Sequence, residues 1–162
     1  MKHSFVYLAS QSPRRAQLLE QIGIRYEPLL PDAQEDAESL EATRPGELPA
    51  AYVQRVTQLK LEAACDRLRR RGLPEGPVLC ADTTVALGVR ILGKPEDEED
   101  ARASLTALSG RTHRVLTAVA LGVGRRRWSA LSVSRVRVAP LPVPVVEADL
   151  RSGEPFGKAG AY

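Results

Sequence analysis

The chain has 162 residues, 43% of them hydrophobic, which is enough to bury one sizeable core and too few for several independent domains. A net charge of +3 permits phosphate-bearing ligands but falls short of a nucleic-acid-binding signature. The expected protein is cytoplasmic. No apolar stretch approaches membrane-spanning length, Met1 to Ala9 lacks the apolar region and cleavage site of a signal peptide, and Cys65 and Cys80 have no close partners for a zinc site.

Residues 4 to 9 read as a first strand. Ser12-Pro13 then supplies an N-cap and a proline suited to the first helical position, opening a helix to about Ile22 that stops at Gly23. A second strand is expected over 24–30, followed by an acidic, proline-containing loop over 31–47, long enough to suggest a functional role. Val53, Val56, Leu59, Ala63 and Leu68 give residues 48–71 the spacing of an amphipathic helix closed by Gly72 and Pro74. Val78 to Ala81 is a buried-strand run, and 84–87 and 90–92 form a hairpin around Gly88. A helix over 97–108 begins with Asp97, Glu98, Glu99 and Asp100, which complement the positive end of its dipole. Two long β segments within 112–139 flank a turn at 122–127, and a short helix over 143–151 precedes Gly153. Early alternation followed by a hairpin predicts an α/β fold with a mixed sheet, as a single domain over 1–162.

Nineteen of the basic residues are arginine and only four are lysine, at Lys2, Lys60, Lys94 and Lys158. The runs at 67–71 and 125–127 read as solvated helix-end and turn residues. Ser10-Gln11-Ser12-Pro13-Arg14-Arg15, between strand and helix, can present backbone N–H groups, a hydroxyl and two guanidinium groups to an anion. Asp82-Thr83-Thr84 follows the apolar run 78–81, where a carboxylate at a strand end can bind magnesium or orient water. Residues 88–95 mimic a P-loop, but Pro95 replaces the hydroxyl residue that should follow Lys94, so that reading is rejected. Lys94 alone, between Gly93 and Pro95, can still meet a phosphate as a point charge. Glu35 and Lys60 read most simply as exposed charges, and His113 as an ordinary strand histidine.

Taken in order, Leu8-Ala9-Ser10-Gln11-Ser12-Pro13-Arg14-Arg15, Leu18-Leu19, Gly23, Ala81-Asp82-Thr83, Gly93-Lys94-Pro95, Leu108-Ser109-Gly110, Thr112-His113 and Lys158-Ala159-Gly160-Ala161-Tyr162 resemble the Maf-like family of nucleotide pyrophosphatases over essentially the whole chain. The resemblance implies a two-lobed α/β scaffold related to the inosine triphosphate pyrophosphatases. It implies hydrolysis of dTTP, UTP and modified pyrimidine nucleotides to the monophosphate and pyrophosphate, with magnesium or manganese. By that resemblance Ser12, Arg14 and Arg15 hold the triphosphate, and Lys60 and Lys94 contact phosphate oxygens, Lys94 counting with Glu35 and Asp82 in the catalytic set. Glu35 and Asp82 bind metal or activate water, with Asp82 the general base. Ser10, Thr83 and Lys158, within the matching motifs, join the substrate-binding set. The alternative it leaves is a non-catalytic, nucleotide-binding regulator of septum formation. No stable nucleic-acid or membrane partner is expected, and homodimerisation is left open. Gln58-Leu59-Lys60-Leu61-Glu62 departs from the family's usual Glu-Lys-Ala, and the family's further C-terminal strand and helix lead to the expectation of a C-terminally truncated chain.

Overall fold

Strand β1 is only Val6–Leu8, and both Tyr7 and Leu8 are buried, as a parallel strand covered on both faces requires. The computed structural model describes residues 3–162; Met1 and Lys2, at the start of the stretch expected to run into this strand, lie outside the described residues. Helix α1, Pro13–Gln21, leads to β2, Tyr26–Pro28, which pairs in parallel with β1. The long loop contains a 3-10 turn, Glu38–Glu41, ahead of helix α2, Pro49–Arg70. Strand β3, Val78–Leu87, is followed by β4, Arg90–Leu92, and helix α3, Glu98–Leu108. Strands β5, Thr112–Val123, and β6, Arg126–Arg137, precede helix α4, Val143–Ser152.

The six strands form one mixed sheet of order β2-β1-β3-β5-β6, with β4 paired to β3. Strand β3 runs parallel to β1 at Tyr7↔Val78 and Leu8↔Leu79, and antiparallel to β4 at Val85↔Leu92 through Leu87↔Arg90. The expected break after Ala81 is absent: β3 continues through Asp82-Thr83-Thr84 for ten residues. Buried Thr84, Val85 and Ala86 explain the extension, because they carry the apolar pattern past the polar pair Asp82-Thr83.

The chain divides into two compact units. The first comprises 1–45, 54–82 and 118–131; the second comprises 46–53, 83–117 and 132–162. In the first, Tyr7, Leu29, Leu61, Ala64, Cys65, Leu68, Val78, Cys80 and Ala120 form the core. On α2, Val53, Val56 and Leu68 are buried as the spacing predicts, whereas Leu59 is substantially exposed and Leu61, Ala64 and Cys65 join the covered face in its place. In the second unit, Ala101 and Leu105 of α3 pack with Val146 and Leu150 of α4 and with Ala161, while Val85, Leu92 and Leu108 form an adjoining cluster.

The Lys158-Ala159-Gly160-Ala161-Tyr162 stretch is a tight turn set against β3. Gly160 has φ +70° and its amide donates to the Gly93 carbonyl at 3.1 Å. A Cβ there would lie 2.8–2.9 Å from three side-chain atoms of Val85, so only glycine lets the backbone come this close.

Candidate active site

The link from β1 to α1 places an anion-ready helix start beside the sheet. Ser12 is the N-cap residue, as its sequence position suggests, yet its side chain makes no capping bond. Its amide instead donates to Ser10 Oγ at 3.3 Å, and Arg15 Nη1 donates to the same hydroxyl at 2.9 Å. The first-turn amides of α1 therefore remain without a side-chain cap, in a helix whose N-terminal dipole end favours negative charge. Arg14 is exposed on this turn and Arg15 is half-buried. Burial lowers the Arg15 pKa, opposed by the attraction of Asp82 and, more weakly, of Glu41.

Asp82 projects from the middle of β3, three residues beyond the last Cα pairing with β1. Its Oδ1 accepts from Lys60 Nζ at 2.8 Å, and the same ammonium donates to Glu41 Oε1 at 2.8 Å. All three side chains are largely but not wholly covered, with exposures of 15% for Asp82, 23% for Lys60 and 32% for Glu41. Burial pulls the Lys60 pKa down, but the Asp82 charge and the hydrogen bonds to Asp82 and Glu41 outweigh it and leave the pKa raised. Lys60 stays an ammonium.

Glu35 has a different setting. Its carboxylate accepts from Arg67 Nε at 2.9–3.0 Å and from Arg67 Nη2 at 2.8 Å, with Arg70 at 3.4 Å and Arg71 at 3.9 Å. The Arg67 hydrogen bonds, set against burial, hold its pKa at about 2. Arg67, expected to be a solvated helix-end residue, is buried at 5% exposure and donates also to the Leu29 carbonyl at 2.9 Å. The correction has a simple cause: Arg67 lies a helical turn below Ala64 on the covered side of α2, and Glu35 neutralises it there.

Thr83, Lys94 and Lys158 belong to the second unit. The Thr83 and Thr117 hydroxyls are hydrogen-bonded at 2.9 Å, Lys94 is exposed between β4 and α3, and Lys158 is ion-paired with Glu154. His113 is buried, with Nε2 hydrogen-bonded to the Tyr162 hydroxyl. A groove of about 540 Å³ lined by Leu105, Val138, Leu141, Val146 and Tyr162 also lies in this unit; it is apolar, and none of the expected site residues lines it.

Of the expected site residues, the structure thus brings Ser10, Ser12 and Arg15 together at one end of α1, and joins Asp82 to Lys60. It places Glu35 among arginines, and it adds Glu41, which the sequence reading did not single out. Six acidic residues lie between 31 and 47, and nothing in their spacing along an irregular loop distinguishes one from another. The usable signal is on α2, where Lys60 and Arg67 recur at seven residues on one stripe and so require two separate acidic partners.

Among the described residues no group of three or more His, Cys, Asp or Glu side chains converges as a metal site. Glu41 and Asp82 nevertheless already converge on one cation, the Lys60 ammonium. Two hard carboxylates suit magnesium or manganese, because magnesium is commonly held by one or two carboxylates with substrate phosphates completing its shell.

Comparison with known proteins agrees with this architecture. The dTTP/UTP pyrophosphatase of Albidiferax ferrireducens is 63% identical over 158 residues, covering 98% of this chain and 79% of the relative. That of a Polaromonas species is 61% identical with 98% and 78% coverage, and that of Cupriavidus metallidurans is 58% identical with 98% and 80%. The profile of the family described as Maf-like protein matches residues 5–162, and the chain belongs to that family.

Proposed function

We propose that this protein hydrolyses nucleoside triphosphates, dTTP and UTP foremost, to the monophosphate and pyrophosphate, with Asp82, Glu41 and Lys60 at the centre of the reaction. The observation that carries the residue assignment is Lys60 Nζ held at 2.8 Å by both Asp82 and Glu41, in the unit that also contains Arg15 and the start of α1. The substrate assignment follows the names of the relatives, at 56–63% identity over nearly the whole chain. A regulator that only binds nucleotide gives no reason for a carboxylate pair converging on a cation.

In this reading the uncapped amides of α1, the Ser12 hydroxyl, Arg14 and Arg15 bind the phosphate chain. Charge grows on its oxygens as the anhydride bond between the α- and β-phosphates breaks, and fixed donors there lower the barrier without reorganising. Asp82 orients the attacking water and accepts its proton. Lys60 holds both carboxylates in place in the free protein through its two hydrogen bonds, and offers its own charge to phosphate oxygens. Glu41 and Asp82 are the residues that would hold magnesium or manganese, and a bound ion would supply positive charge against the phosphate oxygens. Thr83, Lys94 and Lys158 keep the substrate contacts that their motifs imply, each open to its own substitution. A cytoplasmic setting fits the two buried free cysteines, Cys65 and Cys80.

The test incubates the protein with canonical and modified nucleoside triphosphates and magnesium or manganese, measuring pyrophosphate and orthophosphate separately. Pyrophosphate from dTTP and UTP is expected, falling by about 10²-fold or more in Asp82→Asn and Glu41→Gln. Orthophosphate as the first product, or full activity in Asp82→Asn, would overturn the assignment.

A further inference from the structure

Between Leu29 and Ala42 the chain has no long regular element, yet it delivers a carboxylate to Lys60 and Asp82. What fixes it is α2. Arg67 Nη1 donates to the Leu29 carbonyl at 2.9 Å and Arg71 Nη2 to the Leu30 carbonyl at 2.7 Å. Arg67 then engages Glu35 through two further nitrogens, Lys60 engages Glu41, and Arg55 Nη2 donates to the Ala42 carbonyl at 2.8 Å. Seven residues along a helix correspond to a rise of about 10 Å, so Arg67 and Lys60 act as two pegs for a segment whose acids are six residues apart.

The stretch between the pegs is locally stiff. Glu35 Oε2 accepts from the Asp32 amide, and its own carbonyl accepts from Ala37 at 3.0 Å. The Asp36 carboxylate accepts from the Ser39 amide at 3.2 Å, the Ser39 hydroxyl donates back to the Asp36 carbonyl at 3.1 Å, and the 3-10 turn runs on to Glu41. A displacement at Glu35 is therefore passed to Glu41 rather than absorbed. Arg67 is buried and three of its nitrogens are committed, so its guanidinium is itself fixed.

We infer that the Arg67–Glu35 pair is a positioning device: it sets where Glu41 stands relative to Lys60 and Asp82, and so acts on the reaction through Glu41 without touching substrate. This deepens the proposed function and rests on the assignment of Glu41 to the site. It also reassigns Glu35 from holding metal to holding the segment that carries Glu41.

The test is a double-mutant cycle on the full chain. Glu35→Gln retains size and some hydrogen bonding but removes the charge; Arg67→Lys retains the charge but cannot reach the Leu29 carbonyl and both Glu35 oxygens together. Each is measured alone and combined with Glu41→Gln, for kcat and KM of pyrophosphate release, with backbone hydrogen exchange over residues 31–45 in the same samples. With Glu41 present, each is expected to lower kcat about 10-fold, to change KM less than about 2-fold and to speed exchange over 31–45. Combined with Glu41→Gln, each is expected to add less than about 2-fold. An equal loss in both backgrounds means a merely structural role and overturns the inference, as does unchanged kcat in the two single variants. If Glu41→Gln alone leaves the rate intact, the assignment of Glu41 itself fails, and the inference with it. If Glu35→Gln does not fold, Arg67→Lys carries the same reading.

Discussion

An ammonium between two carboxylates neutralises one of their two charges and leaves the cluster anionic by one unit. That balance explains how Asp82 and Glu41 stand close together in a partly covered site: without Lys60 they would repel each other and lose a shared donor. Lys60 also has the right chemistry for a role that requires adjustment. A point charge on a flexible stem can turn from carboxylate to phosphate, whereas a guanidinium fork is built for one planar partner. Lys60→Met is therefore expected to cut pyrophosphate release by about 10²-fold or more, with a far smaller effect on folding. Lys60→Arg is expected to restore little of the loss, measured as kcat/KM beside a urea titration of each variant.

The elements show which parts of this arrangement were legible. The starts of α1, at Pro13 behind Ser12, and of α3, behind Asp97 whose carboxylate accepts from the Asp100 amide at 2.8 Å, are written in a few adjacent residues, although Ser12 marks its helix start without making the capping bond. On α2, burial of Leu61 in place of Leu59 was not legible, because both lie near the stripe set by Val53, Val56 and Leu68 and only packing selects between them. Asp82 was found in the sequence through its motif, and the hairpin around Gly88 was legible too, with β4 paired to Val85 through Leu87 as its turn suggested; the mid-strand position of Asp82 was not, because the polar pair Asp82-Thr83 interrupts the apolar run that the strand nevertheless continues through. Glu41 was missed for a related reason: its partner is nineteen residues away, across a loop rich in acids. The Lys158 to Tyr162 turn gives a sharp test of packing against local conformation. Gly153, at the end of α4, has φ +76° and open space where a Cβ would go, so Gly153→Ala is expected to cost about 1 kcal/mol for the left-handed backbone alone. Gly160→Ala carries that cost together with the overlap on Val85, and is expected to exceed it by about 1–3 kcal/mol in urea-unfolding free energy.

At the scale of the whole molecule, a set of arginines is engaged in ion pairs within the chain. Arg67, Arg70 and Arg71 face Glu35, Arg102 binds Glu98, Glu99 and Glu147, and Arg127 binds Glu62. Such pairs make the fold sensitive to acid. Glu62 and Glu147 are held below the usual carboxylate range by hydrogen bonds from Arg127 and Arg102, and His113 and Glu35 add two distinct windows to the pH profile. His113 is buried and its Nδ1 has no hydrogen-bond partner among the described residues; burial lowers its pKa from 6.5, so the unfolded chain takes up a proton before the folded one does. Its contribution is intact above about pH 6.5 and declines as pH falls through that value. Glu35 acts in a lower window with the same sign: its pKa of about 2 in the fold lies below the unfolded value of 4.5, so its stabilisation is present above about pH 4.5 and is lost towards pH 2. Urea midpoints are therefore expected to fall in two stages on acidification. His113→Gln should flatten the upper stage and leave the lower, while Glu35→Gln should flatten the lower stage alone. A midpoint that stays constant from pH 7 to pH 5 in the unsubstituted protein would mean that His113 is not held neutral by the fold, and a lower stage that survives Glu35→Gln would locate the acid sensitivity in another of the carboxylate pairs.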